Sequence, residues 1–238
     1  MAAVLGTNVA SMFNVNALGK SKMDLDTSLA RLSSGSRINS AKDDATGLTL
    51  AIGFDSKLRG SLQAQRNAND GIAKAQTNDS YLAQITENTQ RLREIAVQLG
   101  GTATGVETTA LNAENTRISG LIQATGAVVV NADGGTVTGV GVAFTSTAVT
   151  TVASADTLLT AVSTARAQFG ADMATFQSAS NNLGNSAVNI AAQLSSVKDT
   201  DYASESANMT KNSILQQAGT AALSQANQAP NNILQLLR

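Results

Sequence analysis

Lys42, Asp43 and Asp44 stand in a row, and two adjacent carboxylates beside an ammonium could divide the work of a general acid and a general base. The same run has a plainer use. Ser40-Ala41-Lys42-Asp43 has the S-x-x-D form of a helix start, in which the serine hydroxyl accepts an orphan backbone N–H. Asp43 and Asp44 would then lie in a first helical turn, where the macrodipole favours negative charge. The sequence favours this capped start, with a structural or inter-subunit ion pair, over catalysis. Gly139-Val140-Gly141 could open a phosphate loop, but it lacks the third glycine and a following helix, so it reads as a strand and turn. Asn78-Asp79-Ser80 and Asn208-Met209-Thr210 match the N-glycosylation triplet, yet both fall in helical blocks and read as accidental.

The rest of the composition removes chemistry rather than adding it. The 238 residues contain no His and no Cys. That leaves no disulfide, no thiolate nucleophile, no zinc knuckle and no imidazole base, so no catalytic residue, cofactor or metal is expected. A net charge of -1 lacks the clustered Lys and Arg that nucleic acid requires. Charged residues make up 14% of the chain, against about 25% in a typical soluble domain. Aromatics are 3%, and much of the 42% hydrophobic content is Ala. Such a chain buries little as a lone globule and gains more by packing long helices on each other or on copies of itself. Its first basic side chain is Lys20, and polar residues interrupt MAAVLGTNVASMFNVNAL. Neither a cleavable signal peptide nor a membrane span is expected there.

Apolar residues recur at steps of three and four, the helical period. The first block runs to about residue 32, with Leu18, Leu25, Leu29 and Leu32 on one stripe and Lys22 at the remaining step. Ser33-Ser34-Gly35-Ser36-Arg37 breaks it. The second block reaches Leu99 with Ile72, Leu82, Ile85, Leu92 and Ile95, and Gly100-Gly101 ends it. A shorter third block covers about 107–125. Residues 126–154 are rich in Val, Thr and Gly, with Asp133-Gly134-Gly135 as a turn, and read as one or two small β-hairpins. The fourth block has the cleanest pattern. Leu159, Val162, Arg166, Phe169, Met173, Phe176, Ser180, Leu183, Ala187, Ile190, Leu194 and Val197 form a coiled-coil seam about five heptads long. Within it Arg166 should snorkel outward or meet an acidic partner. A fifth block runs to the end, with Ile214, Leu215, Ala218, Ala222, Ile233, Leu234 and Leu237 as its stripe and Pro230 marking a kink or turn. That stripe could lie on a membrane surface. It has almost no Lys or Arg to hold anionic lipid, so burial against protein is preferred. The expectation is a mainly α fold, with antiparallel pairing of N- and C-terminal halves around a small hairpin insert.

These blocks carry motifs that resemble the bacterial flagellins. At the N-terminal end they are Thr7-Asn8-Val9-Ala10-Ser11, LSSGSRINSAKDDATGL (32–48), QAQRNANDGIAKAQT (63–77) and QRLREIAVQ (90–98). At the C-terminal end they are NNLGNSAVNI (181–190) and the whole of 199–238. The resemblance implies a short flagellin without the large outer domains. Residues 1–40 with 199–238 would be an inner pair of terminal helices, 41–125 with 156–198 an outer bundle, and 126–155 a solvent-facing variable insert. It implies a subunit that polymerises into the flagellar filament for swimming, exported unfolded by the flagellar type III apparatus and ending outside the cell.

By the same resemblance, the partners would be copies of the chain, an export chaperone at the C-terminal helix, and the filament cap and hook-junction proteins. Ser and Thr of the insert could carry O-linked sugar. An innate immune receptor reads one face of this family through an Arg, a Leu and a Glu; Arg91 and Glu114 match, and Ile95 stands at the Leu position. The nearest rival is the hook–filament junction protein of the same superfamily. An enzymatic relative with a metallopeptidase insert would need H-E-x-x-H, and the chain has no His. An adhesin using the insert is a minor reading, because the insert is small.

Overall fold

Apolar and small side chains at helical spacing give five helices among the described residues of this computed structural model, which are 8–129, 135–139, 141 and 143–236. Side chains of 127, 129 and 229–236 are left out of the description. Helix α1 (Val9–Ser34) opens at Asn8, whose side-chain oxygen accepts the Ser11 N–H at 3.0 Å, and closes on Gly35 at φ 68°. That left-handed cap is a conformation glycine takes without a Cβ penalty.

Helix α2 (Ala45–Gln98) does not start at Ser40. Asp44 caps it, its carboxylate accepting the Gly47 N–H at 2.9 Å. Asp43 instead accepts from the Ser40 N–H and hydroxyl and the Asn39 N–H, which makes residues 40–43 a turn before the helix. A carboxylate is a stronger acceptor than a hydroxyl, so the acidic end of the motif takes the donors and the helix begins later.

Helix α3 (Val106–Ser119) follows a loop in which Gly100, Gly101 and Gly105 have positive φ. The two short strands β1 (Ala127–Val129) and β2 (Thr136–Thr138) pair antiparallel, with Val128 opposite Val137. Only this one hairpin is found among the described residues, and Asp133-Gly134 of its expected turn lies outside them. Helix α4 (Val152–Lys198) opens on a reciprocal cap between Thr151 and Ser154, each backbone N–H donating to the other's hydroxyl. Asp201 caps helix α5 (Tyr202–Leu236), which continues through Pro230 instead of turning there. Proline cannot donate to the helix ladder, so passing it costs a hydrogen bond without ending the element.

The chain divides into two compact units. One comprises Met1–Gly53 with Gln193–Arg238, the other Phe54–Ala192. In the second unit α2 and α4 run antiparallel. Asn69 accepts from Ser180 at 3.2 Å, Asp79 pairs with Arg166 at 2.8 Å and Arg93 with Asp156 at 2.7 Å, so the partner number falls as the α2 number rises. Its main core joins Leu82, Ile85 and Leu92 of α2 to Leu158, Val162 and Phe169 of α4, with Ile118, Ile122 and Val149 closing the side. A smaller cluster of Ala64, Ala68 and Leu183 receives the hairpin pair Val128 and Val137. Phe176 is fully buried and packs where a side chain on Gly71 would sit, 3.1 Å from that site.

The α4 seam is shifted from the expected one in three places. Its buried line passes through Leu158, Val162, Ala165, Phe169, Asp172, Phe176, Ser180, Leu183 and Ala187. Leu159 and Met173 flank that line half-buried, and Arg166 is exposed. A guanidinium in the seam would have to be desolvated, whereas at the rim it keeps water and reaches Asp79. Ala165 takes the seam position and lets the helices approach. Ile72, Ile190, Leu194 and Val197 are half-buried.

Candidate functional site

In the unit built from the chain ends, α1 and α5 lie antiparallel. The Asn8 side-chain amide donates to the Ala226 carbonyl at 2.8 Å, Leu18 packs at Gly219, and Arg31 pairs with Glu205 at 3.6 Å. The face that α5 turns to α1 carries Glu205, Met209, Gln216, Gly219, Leu223 and Ala226, all buried or half-buried. On α1 the matching line is Ser11, Leu18, Leu25, Ser28 and Leu32. The seam is therefore small and polar for its length.

Larger apolar side chains point the other way. Leu29 is 48% exposed, Ile214 60% and Leu215 45%, and Ala218 and Ala222 are exposed as well. Val9, Met12, Phe13, Val15 and Met23 of α1 join them on the surface. Of the stripe expected to pair the two helices, Leu18, Leu25 and Leu32 meet α5, while Leu29 and the α5 members face solvent. The expectations for Ile233, Leu234 and Leu237 fall outside the described side chains. A three-four pattern is satisfied by two neighbouring lines on one helix, and α5 turns its smaller line inward because Gly219 permits close approach to Leu18.

A polar joint ties the ends of this unit. Arg37 Nη2 donates to the carbonyls of Val197 at 2.7 Å and Ser196 at 3.3 Å, and the Arg37 N–H donates to Lys198 O at 2.7 Å. Thr200 N–H donates to Gly35 O at 3.0 Å, Ser36 and Asp199 form an antiparallel bridge, and the Tyr202 hydroxyl donates to Leu32 O at 3.2 Å. Sequence reasoning saw only a break here, since every partner is more than 150 positions away.

Asp43, one step on, carries three donors that hold its carboxyl below the usual range, the Ser40 N–H first among them. A group kept ionised in this way is poorly suited to donate a proton as a general acid. Because its folded value is depressed, its stabilisation is complete above the ordinary carboxylate value of about 4 and is lost as pH falls through the lower folded value. Asp43→Asn should therefore remove part of the acid limb in a pH titration of α1–α5 unit stability while leaving the neutral-pH fold intact. An unchanged acid limb would count against this role.

Arg91 is exposed and held charged by Glu107 at 3.0 Å and Glu94 at 3.3 Å. Glu114 is depressed by the Arg117 guanidinium at 2.7 Å. Ile95 is 8% exposed and turned inward, so it offers a partner little surface beside Arg91 and Glu114. The apolar β-branched side chain is drawn to the core, and the charged pair stays at the rim.

Sequence reasoning missed the polar staples of the second unit. Asp172, 3% exposed, accepts the Thr125 hydroxyl at 2.6 Å and the Gly141 N–H at 2.8 Å, which anchors the segments on both sides of the hairpin to α4. Asn112 exchanges two bonds with the Val149 backbone, and buried Asn115 accepts from Asn88 at 2.9 Å. Their signal in the sequence is only a polar residue near an apolar line. Among the described residues no group of three or more His, Cys, Asp or Glu side chains could hold a metal ion. No described helix is long and apolar enough to cross a membrane.

Residues 5–136 match the profile of the bacterial flagellin N-terminal helical region, and residues 152–237 that of the bacterial flagellin C-terminal helical region. The chain is similar to a flagellin of Salmonella muenchen, 45% identical over 141 residues that cover 56% of the chain and 28% of that relative. It is similar to a flagellin of Salmonella rubislaw, 53% identical over 98 residues, 41% of the chain and 20% of the relative. A flagellin of Bordetella bronchiseptica aligns over the whole of both chains at 29% identity. The chain thus spans under a third of the length of the two Salmonella relatives it matches.

Proposed function

The chain belongs to the bacterial flagellin family, and from that premise we propose that it is a structural subunit that polymerises into the flagellar filament for swimming. The observation that carries the reading is the apolar line on each terminal helix that faces away from its neighbour, Phe13 and Met23 on α1 and Ile214 and Leu215 on α5. Apolar surface exposed in one copy is buried when copies pack, at about 25 cal/mol per Å². Contacts that are head-to-tail and do not close produce a helical filament, not a ring. The role is structural rather than catalytic. The subunit leaves the cell unfolded through the flagellar type III apparatus, a route that suits a chain with no Cys to cross-link on the way. It meets an export chaperone at the C-terminal helix and then the cap and hook-junction proteins. Arg91 and Glu114 supply the charged part of a face for an innate immune receptor, with Ile95 contributing little.

Seeding the purified chain and imaging it by electron microscopy tests the reading. Long helical filaments are expected, and discrete oligomers or persistent monomers would falsify it. Growth that stops at a short fixed length would point to the hook–filament junction protein instead.

A further inference from the structure

We propose that Arg37 is a register clamp, whose grip on the end of α4 selects one alignment of α1 against α5. The seam between these helices is weakly self-specifying. Ser11, Ser28, Gln216 and Gly219 lie along it, and a seven-residue slip would keep each helix face turned inward, giving up only the Leu18–Gly219 fit, the Asn8–Ala226 bond and the Arg31–Glu205 pair. Those few contacts leave much of the length unspecified, and the joint at the end of α4 has the geometry to fix the register. Arg37 donates to three successive carbonyls, Ser196, Val197 and Lys198, which are orphans at a helix end. Its cation also sits at the negative end of α4. With α4 stopped there, the Ser36–Asp199 bridge and the Thr200 N–H to Gly35 bond set where α5 begins relative to the end of α1. Tyr202 closes the circuit on Leu32, and its hydroxyl approaches Gly35 so closely that a Cβ there would lie 3.3 Å away. Register is thus clamped at one end of the pair, and the Arg31–Glu205 and Asn8–Ala226 contacts carry it along the helices. This inference does not depend on the filament reading.

The absence of native Cys makes a clean test available. A Cβ on Gly219 lies 3.9 Å from that of Leu18, inside the range a disulfide accepts. In the full-length chain, Leu18→Cys with Gly219→Cys reports the observed register. Leu18→Cys with Asn212→Cys or with Ala226→Cys reports slips of seven residues, each about 10 Å along the axis. With Arg37 in place the first pair should oxidise at least about tenfold faster than either slipped pair, a difference of one decade or about 1.4 kcal/mol. Arg37→Ala should reduce that ratio below about threefold, with far-UV circular dichroism unchanged. Tyr202→Phe, which deletes one hydroxyl, should shift it in the same direction by about twofold. An unchanged ratio in both variants overturns the proposal. Equal loss of all three cross-links in Arg37→Ala also overturns it, because Arg37 would then hold the pair together without choosing its register. Failure of the first pair to form with Arg37 intact overturns the pairing itself.

Discussion

A chain ending at Ala218 should stay in the supernatant at concentrations where the full chain, given seeds, is expected to grow into pelletable filaments. Loss of residues 219–238 removes Gly219, Leu223 and Ala226 from the α1 seam, together with the bond from Asn8 to Ala226. What remains of α5 pairs with only the second half of α1, and an isolated helix of that length is marginal in water. The outward line of α1 from Val9 to Val15 then has no partner helix to fix its position for an incoming copy. Seeded growth should fall by at least about 100-fold, or roughly 2.7 kcal/mol. The unit Phe54–Ala192 draws none of its core from the lost residues, so it should keep its helical circular dichroism and its cooperative melt. Filaments from the shortened chain would refute the coupling between helix pairing and assembly. Collapse of all helicity would refute the independence of the second unit.

Phe169→Ala is expected to have the largest effect on that second unit. The ring is fully buried among Leu158, Val162, Ile118 and Ile122 in the main core. Gly141 lies against it so tightly that an added Cβ would collide with the ring. A cavity lined by two helices and an anchored segment cannot collapse easily, so the cost should be about 3–5 kcal/mol. That corresponds to a fall in Tm of roughly 10 °C for a unit of this size. Arg166→Ala serves as the control three residues away, because its ion pair with Asp79 lies at the water-accessible rim and such a pair is worth about 1 kcal/mol. Thermal melts that place the two variants together would show that the seam does not run through Phe169.

The helices and their breaks were legible from the sequence because their causes are local. Apolar spacing marks a helical face, Gly35 and the Gly100-Gly101 pair end helices through positive φ, and Val-Thr density marks the hairpin. The family was legible for another reason: its motifs occupy both ends of the chain in the right order. Local pattern did not say which of two adjacent lines on a helix faces inward. On α4 the line through Ala165 and Asp172 displaced the one through Arg166 and Met173. A buried Asp172 is tolerable only because Thr125 and Gly141 reach it from 47 and 31 residues away, a compensation no window of sequence contains. On α5 a glycine facing Leu18 drew the smaller line inward and left Ile214 and Leu215 outside.

The row Lys42-Asp43-Asp44 shows the same division on a small scale. Sequence sufficed to prefer helix capping over acid–base chemistry there, since a chain without His or Cys offers little else for a carboxylate pair to work with. Which carboxylate caps was decided by the fold: Asp44 took the helix and Asp43 the turn before it. By itself the sequence determined that this protein is a set of helices broken at named turns, because helical period and turn residues are properties of composition and order. Only the tertiary structure decided which faces those helices bury and which they leave for others. Burial is settled by the neighbours a side chain meets, and those neighbours come from the opposite end of the chain.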